Sequence, residues 1–175
     1  LQAPKNGFFY VLDREDGELL RALPYTDGID WATHVDMETG RPVENPDVVY
    51  EVEPQWIMPA NSGAHNWEPQ SWDNDLGLMY FYYHDIANFY SLDEGFVETG
   101  EYEIRERGLS LGWGEGDYRR QLIEQADPRP ESQAYIGAFD PITGTYKWRQ
   151  ELESDYNGGV VATRGDLLFH PILFK

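Results

Sequence analysis

The sequence contains no cysteine and few basic residues. Without cysteine, a disulfide bond, a zinc–thiolate site and a cysteine nucleophile are all excluded within these 175 residues. Only 13 Lys and Arg stand against 32 Asp and Glu, which gives a net charge of −19. Because such a surface repels phosphate groups and anionic lipids, the sequence predicts that nucleic acid is not a partner.

Long uninterrupted apolar stretches are also missing, and none could span a membrane. The chain is interrupted throughout by 17 Gly and 11 Pro, which favours many short elements over a few long ones. Aromatic residues reach 15%, with 12 Tyr and 6 Trp, and this content excludes disorder and is typical of β-rich proteins. The length suits one ordinary domain with a sizeable core.

One turn pattern recurs between candidate strands. Residues 7–23 and 134–152 each read as a strand, a turn and a second strand, and a third, shorter copy of the turn lies between them. In each copy an Asp precedes a Gly by four positions. The Asp side chain can cap the backbone amides of the turn, and the Gly can adopt the positive φ that closes it. The pairs are Asp13–Gly17, Asp36–Gly40 and Asp140–Gly144.

The spacing of these turns predicts an internal repeat. Asp13 and Asp140 are 127 residues apart, which leaves room for two or three propeller blades of roughly 40 to 50 residues each. Further strands are expected at 76–85 and 160–171. Segment 91–133 breaks the pattern and is predicted to be a long loop insertion with a short helix near DYRRQLIEQA. We therefore expect residues 1–175 to form part of one all-β propeller domain.

Four motifs follow one another along the chain. They are QAPKNGFFYVLDREDGEL, WATHVDMETGRPVE, GAHNWEPQSWDNDLGLMYFYY and AFDPITGTYKWRQE…YNGGVVATRGDLLF. These motifs resemble the middle-to-late blades of the PQQ-dependent (quinoprotein or quinohaemoprotein) alcohol dehydrogenases, and only segment 91–133 is left without a match. The resemblance implies about three blades or part-blades of an eight-bladed β-propeller. It also implies an enzyme that oxidises alcohols to aldehydes or ketones.

The same resemblance implies four cofactor-binding residues. Lys5 would place a fixed cation at a quinone oxygen, where it stabilises developing negative charge. Asn66 can donate to and accept from ring heteroatoms, and Trp67 can offer its flat face or its indole N–H. In the complete enzyme, we expect Trp67 to be a buried aromatic. Asn157 would lie near the cofactor beside two glycines, whereas His65 is expected to be structural.

The remaining catalytic groups of the family are expected upstream of the Lys5 motif. They are the aspartate that accepts the alcohol proton, the ligands of a calcium or lanthanide ion, and a vicinal disulfide. No catalytic residue and no metal ligand is therefore predicted in this segment, which alone should be inactive. The resemblance further implies a cytochrome c as electron acceptor, the remaining propeller blades as partners, and a periplasmic location. The acidic surface favours a basic cytochrome.

Two other functions fit parts of the sequence. A cofactor-free propeller that serves as an assembly scaffold would share the Asp-x-x-x-Gly turns, but it would have no reason to keep Lys5 together with Asn66 and Trp67. A related enzyme acting on sugars or other polyols would keep all of these features. The scaffold and the enzymes differ in whether the three residues converge on one cofactor.

Overall fold

The computed structural model describes residues 1–101, 104–105, 108–109, 113–114, 116–154 and 158–172. Strands dominate this part of the chain, and two helices interrupt them. The helices are α1 (Glu94–Thr99) and α2 (Gly116–Gln125). The strands are β1 Phe8–Leu12, β2 Leu19–Pro24, β3 Ala32–Val35, β4 Pro42–Glu44, β5 Gln55–Ile57, β6 Ser71–Asp73, β7 Leu78–Asp85, β8 Asn88–Tyr90, β9 Ile104–Arg105, β10 Gly108–Leu109, β11 Gln133–Asp140, β12 Thr145–Leu152, β13 Val161–Ala162 and β14 Leu168–Phe169.

The largest sheet has four antiparallel strands in the order β12-β11-β7-β6. Strand β7 reads LMYFYYHD and is buried along almost its whole length, because β11 and β6 flank it and aromatic side chains cover its faces. The other strands of the described chain form antiparallel pairs. These pairs are β1–β2, β3–β4, β5–β8, β9–β10 and β13–β14. Such short antiparallel strands in chain order are the arrangement of propeller blades.

The hairpins that the sequence predicts are present. Strand β1 pairs with β2, with Phe9 opposite Leu23, and β11 pairs with β12, with Tyr135 opposite Glu151. The strands expected at 76–85 and 160–171 appear as β7 and as the β13–β14 pair. Within the insertion, α2 coincides with the expected short helix. Helix α1 was not predicted from the sequence. It begins after Asp93, and the Asp93 carboxylate caps it by accepting a hydrogen bond from the Phe96 amide at 3.2 Å.

All three Asp-x-x-x-Gly turns form as expected, and a fourth copy, Asp73–Gly77, joins β6 to β7. In every copy the Gly amide donates to the Asp carbonyl at 2.8–3.0 Å, and the Gly has a φ between 66° and 84°. The carboxylates also accept amides two residues on, at 2.8 to 2.9 Å. These amide bonds lower the pKa of Asp36 and of Asp140. The aspartates are therefore turn caps.

An aromatic core joins the first hairpin to the four-stranded sheet. Phe9 of β1 packs with ring centroids 5.0 Å from Phe139 of β11 and 5.9 Å from Phe81 of β7. Tyr25 crosses the Phe81 ring edge-on at 5.3 Å, and its hydroxyl donates to the Pro4 carbonyl at 2.6 Å. The core thereby fixes the backbone immediately before Lys5, where the candidate site begins.

Candidate functional site

Lys5 and the GAHNW loop lie in direct contact. The Ala64 amide donates to the Lys5 carbonyl at 3.0 Å, and the His84 amide donates to the Ala64 carbonyl at 2.8 Å. Gly63 has a φ of +87°, and a Cβ atom added to it would lie 2.5 Å from the Lys5 side chain. Only glycine permits both this backbone conformation and this close approach. The loop is therefore held between the Lys5 segment and the end of β7.

A second contact brings the segment after Asn157 to the other end of the same loop. The Val160 amide donates to the Pro69 carbonyl at 2.9 Å, and an added Cβ at Gly159 would lie 2.4 Å from Pro69. The Gly158 amide donates to the Pro171 carbonyl at 3.2 Å. Asn157 itself lies outside the described residues. The three segments predicted to contact the cofactor thus meet at residues 63–69, although the chain separates them widely.

His65 anchors this loop in the core. Its side chain is 1% exposed, and Nδ1 lies 2.6 Å from the Tyr82 carbonyl oxygen. Because a carbonyl can only accept, Nδ1 carries the proton. Burial lowers the pKa of His65, and its ring meets Phe81 edge-on at 5.7 Å. This burial and the bond to Tyr82 agree with the structural role expected for His65.

Asn66 and Trp67 point outward from the anchored loop. In this chain Trp67 is 75% exposed, whereas a buried aromatic is expected at this position in the complete enzyme. The physical reason lies in its neighbours, since Ala64 and His65 fill the interior and leave the next two side chains on the surface. The Asn66 amide donates to the Glu68 carboxylate at 3.2 Å. The side-chain amide of Asn66 and the indole of Trp67 are therefore exposed at adjacent positions on the surface.

Lys5 is exposed as well, and its ammonium group donates to the Asn61 carbonyl at 3.2 Å. The sequence reading missed Asn61, and no side-chain pattern could have found it, because the accepting atom belongs to the backbone. Among the residues that the structure describes, this neutral carbonyl is the acceptor found for Lys5, and it does not compensate the positive charge. A cation, an amide and an aromatic face are the groups that a planar acid with ring carbonyls requires, so these residues fit PQQ.

Neither a metal cluster nor a membrane helix appears among the described residues. No three His, Asp or Glu side chains in that part of the chain are grouped so that they could hold a metal ion. None of its helices is long and apolar enough to cross a bilayer.

The chain is similar to known alcohol dehydrogenases over almost its whole length. No profile of a known protein family matches the chain. It is 35% identical over 169 residues to the quinohemoprotein alcohol dehydrogenase ADH IIB of Pseudomonas putida, with 97% of this chain and 23% of that protein covered. It is also 32% identical to the 1-butanol dehydrogenase (cytochrome c) of Thauera butanivorans, again over 97% of this chain and 23% of the relative.

Solved structures agree with the sequence relatives. The quinohemoprotein alcohol dehydrogenase of Comamonas testosteroni superposes with a TM-score of 0.79 and is 26% identical, over 96% of this chain and 24% of that structure. A europium-containing methanol dehydrogenase shares the fold, with a TM-score of 0.70 and 23% identity over 95% of this chain and 27% of that structure. These superpositions confirm the predicted β-propeller segment. The chain spans about a quarter of the length of the relatives it matches, and the predicted resemblance to the quinoprotein and quinohemoprotein alcohol dehydrogenases is confirmed.

Proposed function

We propose that the protein oxidises alcohols to aldehydes or ketones with PQQ, and that this chain supplies one part of the cofactor site. The observation that carries the proposal is the convergence of the Lys5 segment, the loop at 63–69 and the segment at 158–160. When bound, PQQ supplies the hydride acceptor of the reaction. The substrates and partners proposed below are those of the whole protein.

In this proposal each residue of the chain has a binding task. The ammonium group of Lys5 would bind an oxygen of the cofactor. Its positive charge would stabilise that oxygen most strongly when the oxygen carries negative charge. Asn66 donates to the ring system, and Trp67 covers one of its faces. The glycines 158 and 159 let the backbone approach closely, and Asn157, which precedes them in the sequence, is proposed as a further cofactor contact. The sequence predicts that the residue accepting the alcohol proton lies outside this chain.

The metal, the electron acceptor and the location are part of the same proposal. A calcium or lanthanide ion, held by residues outside the described chain, would polarise the cofactor. The europium in a solved structure of the same fold supports such an ion. Electrons would pass to a basic cytochrome c in the periplasm, as the name of the Thauera relative and the net charge of −19 suggest.

The proposal is tested by titrating PQQ into the protein made from its complete gene, with binding followed by absorbance. Lys5→Ala removes one charge-assisted hydrogen bond, so PQQ should bind roughly 10- to 100-fold more weakly. Asn66→Ala and Trp67→Ala should also weaken binding. Since both side chains are exposed, neither variant should lower the melting temperature by more than a few degrees.

A matched control is Lys147→Ala, which removes an exposed lysine of β12 whose ammonium group lies 3.9 Å from Asp140. It should bind PQQ like the parent. If Lys5→Ala, Asn66→Ala and Trp67→Ala all bind PQQ as tightly as the parent, the three residues have no cofactor role. The cofactor-free scaffold would then be the better reading of the chain.

A further inference from the structure

Two aromatic side chains donate hydrogen bonds to the backbone on either side of Lys5. The Tyr25 hydroxyl donates to the Pro4 carbonyl at 2.6 Å, and the Trp31 indole N–H donates to the Asn6 carbonyl at 3.2 Å. The donors lie 21 and 25 residues further along the chain than the carbonyls that they bind. The two residues that flank the lysine are therefore both bound by side chains of one later segment.

The backbone of residues 4–7, the Lys5 segment, is bound at its other two carbonyls as well. The Lys5 carbonyl accepts the Ala64 amide at 3.0 Å, and the Gly7 carbonyl accepts the Tyr25 amide at 3.0 Å. Four successive carbonyls are thus engaged, two by backbone amides and two by side chains. Because each bond fixes one peptide plane, the segment has little freedom to shift.

The loop that carries both side-chain donors, residues 25–31, is anchored near its two ends. Near its start, the Thr26 hydroxyl donates to the Asp85 carboxylate at the end of β7. Near its end, the Asp30 amide donates to the Met58 carbonyl at 3.2 Å, and the Asp30 carboxylate accepts the Met58 amide at 2.9 and 3.0 Å. These bonds do not involve Lys5, so the loop is a support that the lysine segment rests on.

Both side-chain bonds have a fixed direction. Tyr25 is 1% exposed, and burial raises the pKa of its hydroxyl, which therefore keeps its proton and remains a donor. The indole N–H of Trp31 can only donate, and a backbone carbonyl can only accept. Neither bond can therefore be reversed or lost through a change of protonation.

A lysine needs such support if it is to act as a fixed cation. Its ammonium group sits on a flexible four-carbon stem, and in the described part of the chain this group of Lys5 donates to the Asn61 carbonyl at 3.2 Å. The place that the charge can reach is set by the backbone from which the stem starts. Electrostatic stabilisation requires charges that are in position before the reaction begins.

We propose that Tyr25 and Trp31 are positioning residues for Lys5, and that their bonds to the Pro4 and Asn6 carbonyls hold the lysine where it binds the cofactor. Both residues act through Lys5 and not through a contact of their own with the cofactor. The inference rests on the proposed function, because the position of Lys5 matters to PQQ only if Lys5 binds it.

The test removes each donor in the protein made from its complete gene. Tyr25→Phe and Trp31→Phe both keep an aromatic ring and lose the donor, and each should weaken PQQ binding, followed by absorbance, by roughly tenfold. In a Lys5→Ala background the same substitutions should change PQQ binding by less than about twofold, since no lysine is left to position. A general weakening of the fold would instead lower PQQ binding equally in both backgrounds.

The matched control is Trp56→Phe. The Trp56 indole N–H also donates to a backbone carbonyl, that of Asp127 at 2.9 Å, which lies outside the Lys5 segment. The control therefore loses the same kind of bond as Trp31→Phe and should bind PQQ like the parent. If Trp56→Phe weakens PQQ binding as much as Trp31→Phe does, the inference is overturned.

Hydrogen exchange of the Ala64 amide, measured without PQQ, separates this inference from the proposed function. This amide donates to the Lys5 carbonyl, so Tyr25→Phe and Trp31→Phe should speed its exchange roughly tenfold, and Trp56→Phe should leave it unchanged. If neither variant changes the exchange, or if both weaken PQQ binding equally with and without Lys5, the inference is overturned. If the exchange responds but Lys5→Ala binds PQQ like the parent, the proposed role of Lys5 fails and the support of its segment stands.

Discussion

The contact between Gly63 and Lys5 can be tested by adding a single methyl group. In Gly63→Ala the new Cβ would lie 2.5 Å from the Cβ and Cγ atoms of Lys5 and 2.6 Å from its Cα. Because one of these atoms belongs to the backbone, rotation of the lysine side chain cannot relieve the overlap. The loop or the Lys5 segment must move, and Lys5 would leave its place against the loop at 63–69.

The loss of unfolding free energy expected for Gly63→Ala has two parts. An alanine at a φ of +87° costs roughly 1–2 kcal/mol of unfolding free energy. Overpacking against Lys5 adds about 1–3 kcal/mol. Gly17→Ala isolates the first part, since Gly17 has a φ of +84° and nothing lies within 4 Å of an added Cβ. The difference between the two variants therefore measures the contact with Lys5.

The assay is urea unfolding of both variants, together with PQQ titration by absorbance. Gly63→Ala should lose about 1–3 kcal/mol more stability than Gly17→Ala. It should also bind PQQ at least about tenfold more weakly, while Gly17→Ala should bind like the parent. Equal losses of stability would refute the packing argument. Unchanged PQQ binding in a destabilised Gly63→Ala would show that the position of Lys5 does not matter for the cofactor.

Three further outcomes follow from burial and charge. Burial raises the pKa of Asp85 to about 6, above its unfolded value of 3.8. The stability that its protonated form contributes is therefore complete below pH 3.8 and is lost as the pH rises through about 6. Urea unfolding of Asp85→Asn should show a smaller change of stability with pH over this range. Phe81→Ala should cost about 3–5 kcal/mol because the side chain is fully buried, whereas Phe169→Ala, at 59% exposure, should cost far less in the same assay. The association rate of a basic cytochrome c, measured by stopped flow, should fall steeply with salt, and a flat dependence would contradict electrostatic docking.

The sequence by itself determined the features that depend on near neighbours in the chain. An Asp four residues before a Gly specifies a capped turn through bonds inside the turn, so the hairpins at 7–23 and 134–152 could be predicted from composition and spacing. The fourth copy at Asp73 follows the same rule and was available to the same reasoning. The order of the motifs also indicated the resemblance to the family, because motifs are short stretches of sequence that can be compared without the tertiary structure.

The tertiary structure alone decided which segments meet and which side chains face solvent. The contact of Lys5 with Gly63 joins residues that are far apart in the chain. The hydrogen bond from Lys5 to Asn61 uses a backbone oxygen, which every residue type has, so the sequence could not indicate it. Trp67 was expected to be buried in the complete enzyme, and it is exposed in this chain. Its burial depends on whether His65 or Trp67 fills the limited interior space.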